Sequence, residues 1–119
     1  MATLNQCTFI GRLGKNPEVS VTGDGKPIAK FSLAVDQGKN QPTMWLNIIC
    51  WEKLAETVTT YAHKGMQVLV QGRLVIRPYK DKNGIDRQAV EIVATTVQLL
   101  EKRQGDVPVD VGEEPTPNG

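Results

Sequence analysis

The sequence predicts an all-β domain interrupted by a single helix, and three observations predict it. Apolar residues alternate at a period of two along most of the chain; the period changes once, over Glu52–Lys64; and glycine-centred turns separate the alternating runs. A length of 119 residues suits one domain with one core.

Residues 5–13 read as the first strand. Gly23-Asp24-Gly25 is a turn between the short Glu18–Thr22 stretch and a strand over Pro27–Asp36. Gln37–Gln41 forms a polar loop closed by Pro42, and Thr43–Trp51 alternates again. In Glu52–Lys64, Leu54, Ala55, Val58, Tyr61 and Ala62 form one stripe at 3.6 residues per turn, with Gly65 placed to end the helix at C′. Met66–Tyr79 and Arg87–Leu100 are two long strands joined by Asp81-Lys82-Asn83-Gly84, whose Asn-Gly pair is a strong hairpin signal. The element order β-β-β-α-β-β is that of the five-stranded Greek-key barrel called the OB-fold, which binds oligonucleotides or oligosaccharides on an exposed sheet face.

Residues 104–119 hold Asp106, Asp110, Glu113 and Glu114 and no lysine or arginine, whereas residues 1–103 carry a net charge of about +5. The division expected is therefore a basic domain over 1–103 and a disordered acidic, Pro/Gly-rich tail over 104–119. A basic body favours an anionic partner. The chain has no apolar run long enough to cross a membrane as a helix, and MATLNQCTFIGR lacks the character of a signal peptide, so a cytoplasmic, nucleoid-associated protein is expected. Cys7 and Cys50 stand alone without CxxC spacing or a neighbouring histidine, which favours reduced buried thiols over a disulfide or a metal site.

Strand parity assigns the candidate binding residues. Trp45, Asn47 and Trp51 share one face, while Met44, Leu46, Ile48 and Cys50 take the other. In the same way Arg73, Val75, Arg77 and Tyr79 point together, and Val70, Leu74 and Ile76 point to the side expected to bury. Exposed aromatics interleaved with cations supply base stacking and phosphate neutralisation without reading sequence. Arg12, Lys30 and the hairpin bases Lys80, Lys82 and Arg87 join them, with Ser32 beside Lys30. A single surface cation is most often merely solvated; the case rests on their company. Arg73 and Arg77 are the foremost candidates for phosphate contact.

Enzyme action is not expected. His63, the sole histidine, sits near the helix end where an imidazolium suits the dipole. No Ser/His/Asp set can be built without it, no GxxxxGK[ST] phosphate loop occurs, and Glu52 and Glu56 are an i, i+4 pair on a helix surface. No metal or other cofactor is called for.

The segment WLNIICWEKLAETVTTYAHKGMQVLVQGRLVIRPYKDKNGIDR, with FIGRLGKNPEV near the start, closely resembles the bacterial-type single-stranded DNA-binding protein family over residues 4–101. The resemblance implies an OB-fold homotetramer that wraps single-stranded DNA in replication, recombination and repair. By position it implies stacking at Trp45, Trp51 and Tyr79, a packing role for Tyr61, a backbone contact at Arg77, and DNA contacts at Arg12, Lys53 and Arg73. It also implies that the first strand, including Thr8 and Ile10, pairs across subunits and so removes an exposed edge. Two departures stand out. Asp36–Thr43 is short and has no aromatic where the family commonly carries a longer loop, and the chain ends without the family's acidic Pro-Phe tip, which docks replication and repair proteins. That second departure keeps open an alternative, a dimeric replication-restart accessory acting as a scaffold, although two strand-borne tryptophans and the full hairpin favour direct DNA binding.

Overall fold

The structure is a computed structural model, and it describes residues 2–100. The expected acidic tail over 104–119 lies outside the described residues. The strands are β1 (Cys7–Leu13), β2 (Glu18–Val21), β3 (Pro27–Val35), β4 (Met44–Trp51), β5 (Gln67–Lys80) and β6 (Asp86–Leu99), with helix α1 (Glu52–Tyr61) between β4 and β5. The order is thus β-β-β-β-α-β-β, because the short Glu18–Val21 stretch pairs along its whole length with β3 and counts as a strand of its own.

The sheet runs β1-β5-β6-β4-β3-β2, and β1 also meets β3 through Arg12 and Leu13, which curls the sheet back on itself. All pairings are antiparallel except β4 with β6. This is consistent with the OB-fold, a partly open barrel. Inward-facing residues of β1, β3, β4, β5 and β6 fill the centre: Leu13, Phe31, Leu33, Ile48, Val68, Val70 and Ile92 are buried, and Ala55 and Val58 of α1 pack with them. Met66, at the entry to β5, is buried with them.

The helix stops three residues short of the expected Lys64. Ala62 still donates its N–H to the Val58 carbonyl at 2.8 Å, but its backbone is extended, and the chain then turns to meet the barrel. Lys64 N–H donates to Asn16 Oδ1 and Gly65 N–H to the Leu13 carbonyl, both at 2.8 Å. Gly65, at φ +86°, therefore serves the turn His63–Met66 and not the helix C′ position. His63 consequently lies outside the helix, in the turn that follows the C-cap residue Ala62.

The β5–β6 hairpin forms at the expected Asp81-Lys82-Asn83-Gly84, with the connection extending one residue further to Ile85; Gly84, at φ +78°, takes the left-handed position and Asn83 does not. Asp81 organises it: its Oδ1 accepts from the N–H groups of Asn83 and Ile85, and its carbonyl accepts from Gly84 N–H. Hairpin connections of four or five residues are most often built around a type I turn. Asp81 also receives Arg87 Nε at 3.0 Å, and that bond, ahead of the backbone ones, holds its carboxyl below the ordinary carboxylate range.

Beyond the barrel, β5 and β6 continue as a projecting ribbon. Leu74, Ile76 and Val90 lie on the face that strand parity sends inward, yet all three are exposed. The expectation that this face buries fails within a single chain because the ribbon outruns the elements that could cover it. At its root, Asn5 reaches across, its side-chain amide both donating to the Leu74 carbonyl and accepting from the Leu74 N–H at 2.8 and 2.9 Å.

Candidate nucleic-acid interface

The outer face of β3, β4, β6 and β5 gathers most of the residues singled out from sequence. Cross-strand register places Ala34 opposite Trp45, Ser32 opposite Asn47, Lys30 opposite Ile49 and Ile28 opposite Trp51. Asn47 then pairs with Glu91, and Glu91 with Val75. Arg73 pairs with Val93, Arg77 with Ala89 and Tyr79 with Arg87. Because directly paired residues share a side of a sheet, this is one continuous surface.

Three aromatics stand open on it. Trp45, Trp51 and Tyr79 keep 61%, 41% and 43% of their area exposed, unusual for residues that normally supply core area. They sit in two shallow depressions. One is lined by Trp45, Asn47, Arg77, Tyr79, Gln88, Ala89, Val90 and Glu91. The other is lined by Ile28, Lys30, Ile49, Trp51, Arg73, Val75, Arg77, Glu91 and Val93. Ile49, on the outward side of β4 but buried, forms the floor of the second.

The cations divide into two groups. Arg77 Nη2 donates to Glu91 Oε2 at 3.0 Å, Lys80 Nζ to Asp86 Oδ1 at 2.6 Å, and Arg87 Nε to Asp81 Oδ2 at 3.0 Å. The bond to Glu91, then its Coulomb attraction, holds the Arg77 pKa above its ordinary value. Among the described residues Lys30, Lys53, Arg73 and Lys82 form no ion pair. Arg12 lies at the far end of β1 and donates Nη1 to the Gly65 carbonyl at 2.8 Å, so it is tied to the β5 entry. Lys53 is on the first turn of α1, two residues past Trp51. Lys80, Lys82 and Arg87 belong to the ribbon tip. Tyr61 ends α1 and is absent from both depressions.

Sequence reasoning missed Glu91. It is a carboxylate at the centre of a surface otherwise marked by cations, and it lines a third depression with Lys15, Lys30, Ser32 and Asn47 as well. The signal was present, since pairing the hairpin outward from its turn puts Glu91 opposite Val75 and diagonal to Arg77. No group of three or more His, Cys, Asp or Glu that could hold a metal ion occurs among the described residues, and none of the helices described is long and apolar enough to cross a membrane.

Comparison with known proteins decides the relationship. The profile of the single-strand binding protein family matches residues 4–100, nearly all of the described chain. The chain belongs to that family. Like the other members, it is then a binding protein and not an enzyme. Curated relatives agree: a single-stranded DNA-binding protein of Neisseria meningitidis is 37% identical over 120 residues, covering 92% of this chain and 69% of the relative. Single-stranded DNA-binding protein 3 of Clostridium acetobutylicum is 41% identical over 103 residues, with 82% and 72% covered. Single-stranded DNA-binding protein 1 of Chlorobaculum tepidum is 38% identical over 105 residues, with 82% and 65% covered. In this family member the matched region includes both tryptophans, the β5–β6 ribbon and the whole outer face.

Proposed function

We propose that the protein binds single-stranded DNA without reading its sequence and protects strands exposed in replication, recombination and repair. The observation that carries this reading is the single face on which three exposed aromatics are interleaved with free cations. Every base has a π-face, so stacking on Trp45, Trp51 and Tyr79 tolerates any sequence. Arg73, Lys30, Lys53 and Lys82 take phosphates at the margins of the aromatic track, and Arg12, Lys80 and Arg87 extend the basic rim once their present partners exchange with solvent. The site of action is where DNA is unwound, in the nucleoid.

The same reading makes the protein a homotetramer. The outer edge of β1 before Arg12 has no partner within the described chain, which leaves Thr8 and Ile10 on an open edge. The exposed Leu74, Ile76 and Val90 form a second apolar surface on the ribbon. Uncovered edges and apolar ribbons are what symmetric assembly removes.

The test is titration with oligo(dT), reading tryptophan emission, with light scattering on the same samples. Emission should quench as bases stack, and scattering should give four subunits. Trp45→Ala should cost roughly 1–3 kcal/mol of binding, the range found for base–aromatic stacking in single-strand binding proteins as a class. Full emission retained at saturation would overturn the stacking assignment, and a monomer in solution would overturn the assembly.

A further inference from the structure

Arg77 and Glu91 are the two side chains common to both aromatic depressions, the one holding Trp45 and Tyr79 and the one holding Trp51. Glu91 belongs to β6, the strand between β4 and β5, and its side chain is only 14% exposed, whereas that of Arg77 is 56% exposed. The carboxylate therefore lies on the floor of the face and the guanidinium above it. We propose that Arg77 is a stacking surface for a base between the two tryptophans, and that Glu91 is the positioning residue that holds it there. This rests on the single-stranded DNA reading given above, and it replaces the phosphate contact that sequence position assigns to Arg77.

Two physical arguments lead there. A guanidinium donates hydrogen bonds only in its own plane, so an edge tied to Glu91 leaves both flat faces without partners, and those faces are weakly hydrated and stack well on planar rings. A phosphate, in contrast, would have to approach Arg77 beside a carboxylate whose charge repels it and offsets that of the cation. Glu91 thus turns the middle of the face into a place for bases and leaves the phosphates to the margins, where Arg73 and Lys30 have no acidic partner among the described residues. The pair joins the Trp45–Tyr79 and Trp51 depressions into one track.

Arg77→Lys and Arg77→Ala separate the alternatives, because lysine keeps the charge and loses the plane. With oligo(dT) and fluorescence titrations over a range of salt, stacking predicts that both variants bind about tenfold more weakly, the weight of one stacked base, with the slope of log K against log salt unchanged. A phosphate contact predicts that Arg77→Lys binds as the parent does and that Arg77→Ala flattens the slope by about 0.7; that result overturns the proposal. Glu91→Gln retains an acceptor for the guanidinium while removing the charge, and Glu91→Ala removes both. At high salt, where charge effects are screened, Glu91→Gln should bind like the parent and Glu91→Ala more weakly. Equal binding of all three there would overturn the positioning role, and if Glu91→Ala fails to fold, the two Arg77 variants still decide. Should the parent itself leave tryptophan emission unchanged with oligo(dT), the DNA reading would have failed, a result distinct from any of these.

Discussion

The indole of Trp45 lies against the backbone of Gly14: a methyl group built on Gly14 would come within 2.6 Å of Trp45 Cζ3 and 2.7 Å of Ser32 Oγ. The Gly14 N–H also donates to the Ser32 carbonyl at 2.9 Å, which fixes the residue beneath the ring. Trp45 is thus supported on one side by a residue with no side chain while most of its area stays open. Gly14→Ala should push the indole off this seat, since neither the backbone below nor the hydroxyl beside it leaves room. We expect weaker oligo(dT) binding within the roughly 1–3 kcal/mol that one stacked base contributes, with a smaller fall in melting temperature than in affinity. Binding equal to the parent's would show that the ring's position on Gly14 is irrelevant to its role.

Much of this arrangement is legible in the chain, and the parts that are not have identifiable causes. Alternation places Trp45, Asn47 and Trp51 on one side of β4 because a strand's period of two is local geometry. The helix end at Tyr61 is not local. Apolar periodicity runs on through Ala62, and what stops the helix is the bonding of Lys64 to Asn16 and of Gly65 to Leu13, some fifty positions back along the chain. Leu74 and Ile76 illustrate a different limit, for parity says which way a side chain points and not whether anything covers it. Glu91 could be found by extending the hairpin register, but counting Arg77 as a free cation hides it. Charge totals do not record which charges already face one another.

Arg73 should govern salt dependence more than any ribbon cation. It lines the Trp51 depression beside Lys30 and pairs with no acid among the described residues, whereas Lys80 and Arg87 already hold Asp86 and Asp81. For single strands each neutralised phosphate contributes about −0.7 to the slope of log K against log salt. Arg73→Ala should flatten the slope by about that much, and Lys80→Ala or Arg87→Ala by less. Oligo(dT) titrations at several salt concentrations measure it; an unchanged slope for Arg73→Ala would remove it from the phosphate path.

Glu52 joins strand to helix with its backbone in the left-handed region. Strand β4 ends at Trp51, in extended conformation, and α1 begins at Glu52 with no loop between, at φ +55°. A non-glycine residue in the left-handed region costs about 1–2 kcal/mol, and glycine's own entropic cost is about 0.5–1 kcal/mol. Glu52→Gly should therefore stabilise the fold modestly, raising the melting temperature by about 2–6 °C. Glu52→Ala removes the same carboxylate and keeps the strain, so it should not. A gain shared equally by both variants would trace to charge and refute the backbone argument.

Cys50 should set a limit on alkaline stability. It is fully buried in the barrel core, and burial pushes its thiol from 9.0 up to about 12. In the unfolded chain the thiol ionises near its ordinary value, while in the folded chain it stays protonated, so the unfolded state gains stability as pH rises above about 9. The contribution is whole below that pH and is lost progressively toward about 12. One pH unit above the unfolded value corresponds to about 1.4 kcal/mol, so at pH 10 the parent should have lost about that much relative to pH 8 through this group. Urea unfolding at pH 8, 9 and 10, in the parent and in Cys50→Ala, isolates the effect from other groups that titrate there. Cys50→Ala should start lower, because it leaves a void in the core, but decline less steeply with pH. Thiol labelling of the native protein supplies an independent check: Cys7, partly exposed and with its Sγ near the Gly72 carbonyl at 3.5 Å, should react well ahead of Cys50. If the two declines run parallel, or if Cys50 labels as fast as Cys7, then the thiol is not held neutral by the core and this account of it is wrong.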